Sequence, residues 1–346
     1  MIRKSVITPP VVLKGGFPTF RTTVPDSAQE WEKHKVELRK TLWRLLGDMP
    51  PIFTPQPQID SRQHRDGYSL EHFTFDNGIG DTVYGYMMIP DGHTGRGPAI
   101  LYNHYHADKY NQGKEEVLIK TFSPSLDLIP AEELVRAGYV ILCIDAYAFG
   151  QRRHQGPAGN SEKAGGTEQA LFKTFLWEGR TMWGMIVRDD LLALNYLAGR
   201  PEVDPSRIAA IGMSMGSTRS WWLAAMDERV KVVISVACLT RYQNIIANGG
   251  INAHGIYYFV PDMLKEKIDS ESVVGLIAPR PHLTLTGDKD ETSPADGIQI
   301  INDFQRHLYR LYGKEENYRG VIYPRVGHLY SPEMWQETIV WLKKHL

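Results

Sequence analysis

An apolar run of strand length beginning at Ile208 breaks at Gly212-Met213-Ser214-Met215-Gly216 and resumes as a Trp- and Ala-rich segment with helical spacing up to Met226. A strand that turns sharply into a helix with serine at the apex is a G-x-S-x-G nucleophile elbow. The glycines two residues either side of Ser214 let the backbone turn tightly, so that the hydroxyl projects above the sheet where a substrate can meet it. The bland alternative is a Gly-rich turn carrying a surface serine, and the flanking strand and helix patterns weigh against it.

The rest of the chain supplies the sheet that such an elbow needs. From Pro98 strands alternate with helices: strand 99–103, helix near 130–137, strand 139–145, helix near 182–198, then the elbow. Strands 230–237 and 282–286, helix 294–312, strand 318–323 and helix 332–346 follow. This alternation specifies an α/β protein with a mostly parallel sheet of roughly eight strands and helices on both faces. Two β-like runs, 68–75 and 82–89, flank the turn signal Asp76-Asn77-Gly78 and read as an antiparallel entry hairpin.

Residues 1–25, punctuated by Pro and Gly, read as a surface arm. Asp26 or Ser27 can cap a helix whose apolar face holds Trp31, Leu38, Leu42 and Leu45, and Gly47 with Pro50-Pro51 stops it. Segment 50–57 is a stiff connector. The expected division is an N-terminal arm and helix over 1–60, packed on a catalytic domain over 61–346. Connections 146–180 and 239–279 are too long for simple crossovers and read as lid-like insertions at the carboxyl edge of the sheet.

Composition bounds the function. With 346 residues, 42% hydrophobic and 23% charged, the chain can bury a large core. A formal net charge of -1 gives no electrostatic reason to expect nucleic acid or an acidic membrane surface. The N-terminus lacks the apolar core of a signal peptide, and no stretch approaches the roughly 18 uninterrupted apolar residues of a membrane span. The expectation is a soluble, cytoplasmic protein whose partner is a small molecule; a homo-oligomer is compatible with the sequence. Cys143 and Cys238 fall in or beside apolar runs and behave as small buried hydrophobes rather than a disulfide framework.

A serine hydroxyl needs a base within reach, and the base needs an acid to orient it. In this architecture they follow in the order Ser, acid, His from later strand ends. His328 is the base: of 12 histidines, it alone occupies the last strand-to-helix loop. The acid lies in the loop 287–294, where Asp290 sits deeper than Asp288, which follows Gly287 at once and suits a turn. An oxyanion hole requires the amide of Met215 and a second amide from the loop after an early strand, that of His106 or Tyr105.

The same loop permits a rival reading, since His104-x-His106-x-Asp108 opens like a dinuclear metallohydrolase loop. Lys109 puts a cation where that pattern needs a ligand, and the expectation is no metal and no cofactor. Asp145 ends a strand at the active edge and suits loop orientation against Arg152 or Arg153. Trp221 follows the elbow, and Tyr147, Phe149, Tyr242, His254, Tyr257 and Tyr258 lie in the two insertions; each is a candidate to line a substrate pocket or to fill a lid core.

From about Tyr68 to Leu346 the chain resembles the α/β-hydrolase superfamily, and within it the dienelactone-hydrolase and acetyl xylan esterase-like branch. The resemblance rests on Arg200-Pro201-Glu202-Val203-Asp204 with Arg207-Ile208 before the elbow and Ala224-Ala225-Met226-Asp227-Glu228-Arg229-Val230 after it. Ala278-Pro279-Arg280-Pro281 and Gly327-His328 complete it. It implies Ser214 as nucleophile, His328 as base and Asp290 as acid, because Gly287, Asp290 and Pro294 match a G-x-x-D-x-x-x-P pattern. Dienelactone hydrolases carry Cys where this chain has Ser214, and many related esterases have Gly where it has Tyr105. The implied activity is hydrolysis of carboxylic esters by a serine esterase without a cofactor. An amidase or peptidase with the same three residues, and a catalytically silent binding protein, are the alternatives.

Overall fold

The computed structural model describes residues 19–120 and 126–346; most of the expected N-terminal arm lies outside them. Ser27 caps helix α1 (Ala28–Leu46) by accepting from the Glu30 amide, and Gly47, at φ 103°, ends it. Trp31, Leu38, Leu42, Leu45 and Leu46 form its buried face and join the same core as the central helices. The Trp31 indole also donates to the Gly275 carbonyl at 3.1 Å, satisfying the one polar atom of that ring.

Among the described residues nine strands build one sheet: β1 (Gln58–Arg65), β2 (Tyr68–Asp76), β3 (Thr82–Pro90), β4 (Gly97–Asn103), β5 (Val140–Ile144), β6 (Val203–Met213), β7 (Val230–Val236), β8 (His282–Gly287) and β9 (Tyr318–Tyr323). Their order is β1-β2-β3-β5-β4-β6-β7-β8-β9. The first four in that order pair antiparallel and the rest parallel. The expected class is therefore present with one strand more than the roughly eight anticipated. The added strand is β1, QIDSRQHR, an exposed edge with no apolar alternation to announce it. It also runs across the boundary expected at residue 60.

The helices are α2 (Pro130–Arg136), α3 (Gly165–Trp177), α4 (Met182–Ala198), α5 (Met215–Met226), α6 (Tyr242–Ala247), α7 (Ser270–Gly275), α8 (Ala295–Leu311) and α9 (Pro332–His345). Two-residue periodicity sends successive strand side chains to opposite faces. In β4, Ala99 and Leu101 pack with α1, α4, α5 and α8, whereas Ile100 and Tyr102 pack with α2 and α9. Each such fully buried aliphatic side chain is worth about 1.5–3 kcal/mol. Among the described residues no helix is long and apolar enough to cross a membrane.

After β4 the chain crosses to β5 on one side, then returns to β6 on the other. Open α/β sheets bind ligands at this reversal, outside the carboxyl ends of the strands. The loop after β4, the elbow after β6 and the loops after β8 and β9 all open on that edge. So do both insertions: the one after β5 contains α3, and the one after β7 contains α6 and α7.

Candidate active site

Ser214 sits between β6 and α5 with φ 57° and ψ -122°, a conformation that L-residues rarely adopt. The turn is held by its amide, which donates to the Val236 carbonyl at 2.9 Å, and by its carbonyl, which accepts from Thr218 at 3.1 Å. Close packing explains the glycines. A Cβ at Gly212 or Gly216 would collide with the carbonyl oxygen of Asn103, so the loop after β4 lies directly against the first turn of α5.

The structure brings the three residues singled out in the sequence together. His328 Nε2 is 2.9 Å from Ser214 Oγ, and His328 Nδ1 is 2.8 Å from Asp290 Oδ2. Asp290 is 3% exposed, yet its carboxyl is held below the usual carboxylate range. Burial alone would raise it; hydrogen bonds from His328 and Thr292, and the field of the imidazole, outweigh that. Asp288 does not reach the histidine and instead accepts from the Arg325 amide at 2.6 Å.

Thr292 escaped the sequence reading. Its hydroxyl donates to Asp290 Oδ1 at 2.7 Å and its amide donates to the same oxygen at 3.0 Å, fixing the second carboxylate oxygen. The signal available was the Asp-x-Thr spacing, a side-chain-to-backbone turn.

The Met215 amide is the first of helix α5, where backbone N–H groups have no intrahelical acceptor and carry the positive end of the helix dipole. Of the two amides expected as second donor, that of Tyr105 is corrected: it donates to Glu116 Oε2 at 2.6 Å. The His106 side chain braces the loop. Nδ1 accepts from the Asp108 amide at 3.1 Å, so Nε2 carries the proton and donates to Glu168 of α3 at 2.8 Å. The ring stacks on Tyr257 at 5.1 Å and meets Phe149 edge-on at 4.9 Å, joining both insertions to the loop.

His104 is fully buried, and burial depresses its pKa well below the usual imidazole value, keeping it neutral. Its Nε2 accepts from the Ala146 amide at 3.0 Å, which leaves the proton on Nδ1 to donate to the Tyr105 carbonyl at 2.8 Å. Asp108 is turned outward, with 88% of its side chain exposed. Among the described residues no group of three or more His, Cys, Asp and Glu could hold a metal ion.

Several pocket candidates belong to the core. Tyr147 is buried beneath an Arg152 guanidinium 3.7 Å from its ring, accepts from Asn77 and donates to Asp81. Trp221 is buried behind the elbow, stacked on Trp222. Tyr258 is buried against Trp183 and Tyr257. These aromatics fill volume under the insertions, where a flat apolar ring contributes more than at a wet pocket wall.

Asp145 orients loops, but its carboxylate is held by Lys114, and the Arg152 side chain reaches only its backbone carbonyl, at 3.2 Å. Its carboxylate accepts from the Lys114 amide at 2.7 Å, from Lys114 Nζ at 3.0 Å and from the Gln151 amide at 3.0 Å. Burial pushes its pKa up to about 6.

His254 and the half-buried Tyr242 remain near the site. The His254 ring lies 4.2 Å from that of Tyr258 and 5.8 Å from that of Tyr242. Among the described residues neither of its nitrogens has a hydrogen-bond partner, and burial lowers its pKa to about 4 against the field of Asp290.

Comparison with known proteins agrees with this architecture. Residues 126–330 match the model of the dienelactone hydrolase family. The Bacillus subtilis (strain 168) protein named "Putative hydrolase YtaP" is 35% identical over 320 residues, 90% of this chain and all of that protein. A glucuronoyl esterase from Solibacter usitatus superposes with a TM-score of 0.68 at 16% identity, covering 97% of each chain. Acetyl xylan esterase 1 from Thermoanaerobacterium sp. JW/SL YS485 does so with a TM-score of 0.57 at 17% identity, covering 95% of this chain and 96% of the other. The chain belongs to the dienelactone hydrolase family and has the α/β-hydrolase fold.

Proposed function

We propose that this hydrolase is a serine esterase that cleaves short-acyl or acetylated substrates through a covalent acyl-enzyme on Ser214. The observation that carries the reading is the continuous hydrogen-bonded line from Ser214 Oγ through the His328 imidazole to Asp290. His328 Nε2 takes the hydroxyl proton as Oγ attacks the ester carbonyl. The tetrahedral oxyanion is met by the Met215 amide at the positive end of α5 and by the His106 amide. His328 then returns the proton to the departing alcohol, and water repeats the sequence to release the acid. Asp290 stays ionised and keeps the imidazole in the tautomer with its lone pair toward Ser214.

A carbohydrate ester is the favoured substrate class because a glucuronoyl esterase and an acetyl xylan esterase share this fold over nearly the whole chain. His254 and Tyr242, in the second insertion with their rings 5.8 Å apart, are the candidates to contact the alcohol portion. Ser214→Ala should abolish turnover of short acyl esters while leaving circular dichroism and melting unchanged; a variant that still turns over more than a trace would exclude the mechanism. Matched ester and anilide substrates separate an esterase from an amidase.

A further inference from the structure

The loop Asn103–Asp108 must hold one amide steady where negative charge develops, yet Ala107 and Asp108 have φ of 44° and 54°, outside the regions L-residues prefer. Something must hold such a backbone in place. Part of the restraint comes from the two histidines already described. The other part comes from Glu116, in a short 3-10 turn (Gly113–Leu118) that sequence reading passed over.

Glu116 is 2% exposed. One oxygen accepts from the Tyr105 amide at 2.6 Å and the other from the Tyr102 hydroxyl at 3.0 Å. A carboxyl with no access to water is an expensive way to satisfy one backbone amide, because its charged form loses hydration. Burial pushes its pKa up to about 8. In either protonation state an oxygen remains to accept from the Tyr105 amide.

The consequence follows from peptide planarity. The Tyr105 amide is fixed by Glu116, and the Tyr105 carbonyl is fixed by the His104 Nδ1 proton at 2.8 Å. Both ends of the residue are thereby clamped. Tyr105–His106 is a trans peptide, so its N–H points opposite to its C=O. With the carbonyl turned toward His104, the His106 amide faces away from that ring; rotating it breaks the bond to His104, and Glu116 holds the preceding His104–Tyr105 peptide so that the whole residue cannot swing instead.

We propose that Glu116 is a positioning residue of the oxyanion hole: by holding the Tyr105 amide it fixes the His104–Tyr105 peptide, the anchored plane from which the Tyr105–His106 peptide, itself held at its carbonyl by His104, aims the His106 N–H. The proposal rests on the serine-esterase reading above. It assigns Glu116 no contact with substrate, and its effect passes through the two peptide groups that flank Tyr105.

Two substitutions separate this role from simple packing. Glu116→Gln keeps an amide oxygen for Tyr105 and turns its NH2 to the Tyr102 hydroxyl, which can accept. Glu116→Leu fills similar volume but accepts nothing. With a short acyl ester, Glu116→Leu should lower kcat by about tenfold to a hundredfold with little change in KM, the loss expected when an oxyanion donor is misaligned. Affinity for a boronic acid, which forms a tetrahedral adduct, should fall in parallel, and Glu116→Gln should restore both to within about threefold of wild type, well short of an oxyanion-donor loss.

Melting is read on the same samples. If Glu116→Leu proves unfolded, Glu116→Ala, which also removes the acceptor for the Tyr105 amide, carries the comparison and should show the same loss of kcat and boronate affinity. Tyr102→Phe, which removes only the second anchor, should keep kcat within about threefold. A folded Glu116→Ala with wild-type values would overturn the proposal. A folded Glu116→Leu with unchanged kcat and boronate affinity would overturn the proposal, as would a Glu116→Gln that loses both. Failure of the serine mechanism itself would look different: Ser214→Ala would retain turnover whatever the state of Glu116.

Discussion

His328 Nε2 lies 2.9 Å from Ser214 Oγ across 114 residues of sequence. The Nδ1 proton donated to Asp290 is what leaves the Nε2 lone pair facing the hydroxyl. Asp290→Asn would present an NH2 or a weaker acceptor to Nδ1 and favour the wrong tautomer. We expect kcat to fall by about 10³- to 10⁴-fold, with KM for short esters changed little. Steady-state kinetics on the purified variant checks this, and parallel melting curves show that the fold survives.

The same carboxylate makes an acid-range prediction. The Asp290 pKa lies below its ordinary value of 3.8 because, against burial, hydrogen bonds from His328 and Thr292 favour the charged form. A group whose pKa is depressed on folding contributes stability that is present above the unfolded value and lost as pH falls through the folded one. The stability difference between wild type and Asp290→Asn should therefore be flat above about pH 5 and close progressively below pH 4. Urea unfolding at a series of pH values measures it.

Behind the elbow, Arg219 of α5 and Asp190 of α4 form a pair with no solvent exposure, joined by hydrogen bonds of 3.0 and 2.6 Å. Removing one partner strands a charge in the core, so Asp190→Ala should cost about 3–5 kcal/mol in urea unfolding. The double variant Asp190→Leu/Arg219→Met, which removes both charges at similar volume, should recover most of that loss.

Gly216→Ala tests the contact between elbow and oxyanion loop. Its methyl group would meet the Asn103 carbonyl, which is backbone and has little room to yield. Strain of about 1–3 kcal/mol is expected in the melting transition. If the loop moves to relieve it, kcat should also fall by at least about tenfold, because the second oxyanion amide moves with the loop.

Some of this was legible in the residues alone. The elbow, the acid loop and the histidine loop follow strands of strong apolar character, and strand ends are where an α/β sheet places chemistry. Ser27, Gly47 and the Trp31–Leu45 face marked α1 because capping and periodicity act locally. β1 was not legible, since a polar edge strand shows no alternation, and neither was α3, whose buried Glu168 and Phe175 are set against His106 and Tyr147, far off in sequence. Tyr147 and Trp221 read equally as pocket or core, and only the packing of the insertions decides between them. Glu116 gave no signal: a glutamate in a short turn is normally solvated, and its partners, Tyr102 and Tyr105, lie on the far side of the loop.

The central claim is a covalent acyl-enzyme on Ser214. Mixing the protein with an activated acetyl ester, quenching in acid within the burst phase and analysing the digest by mass spectrometry tests it most directly. The account predicts one added acetyl group on the peptide containing Ser214, absent in Ser214→Ala and accumulating further in His328→Ala only if hydrolysis slows more than attack. Turnover of the ester with no adduct on that peptide, or the same adduct and rate in Ser214→Ala, would contradict it.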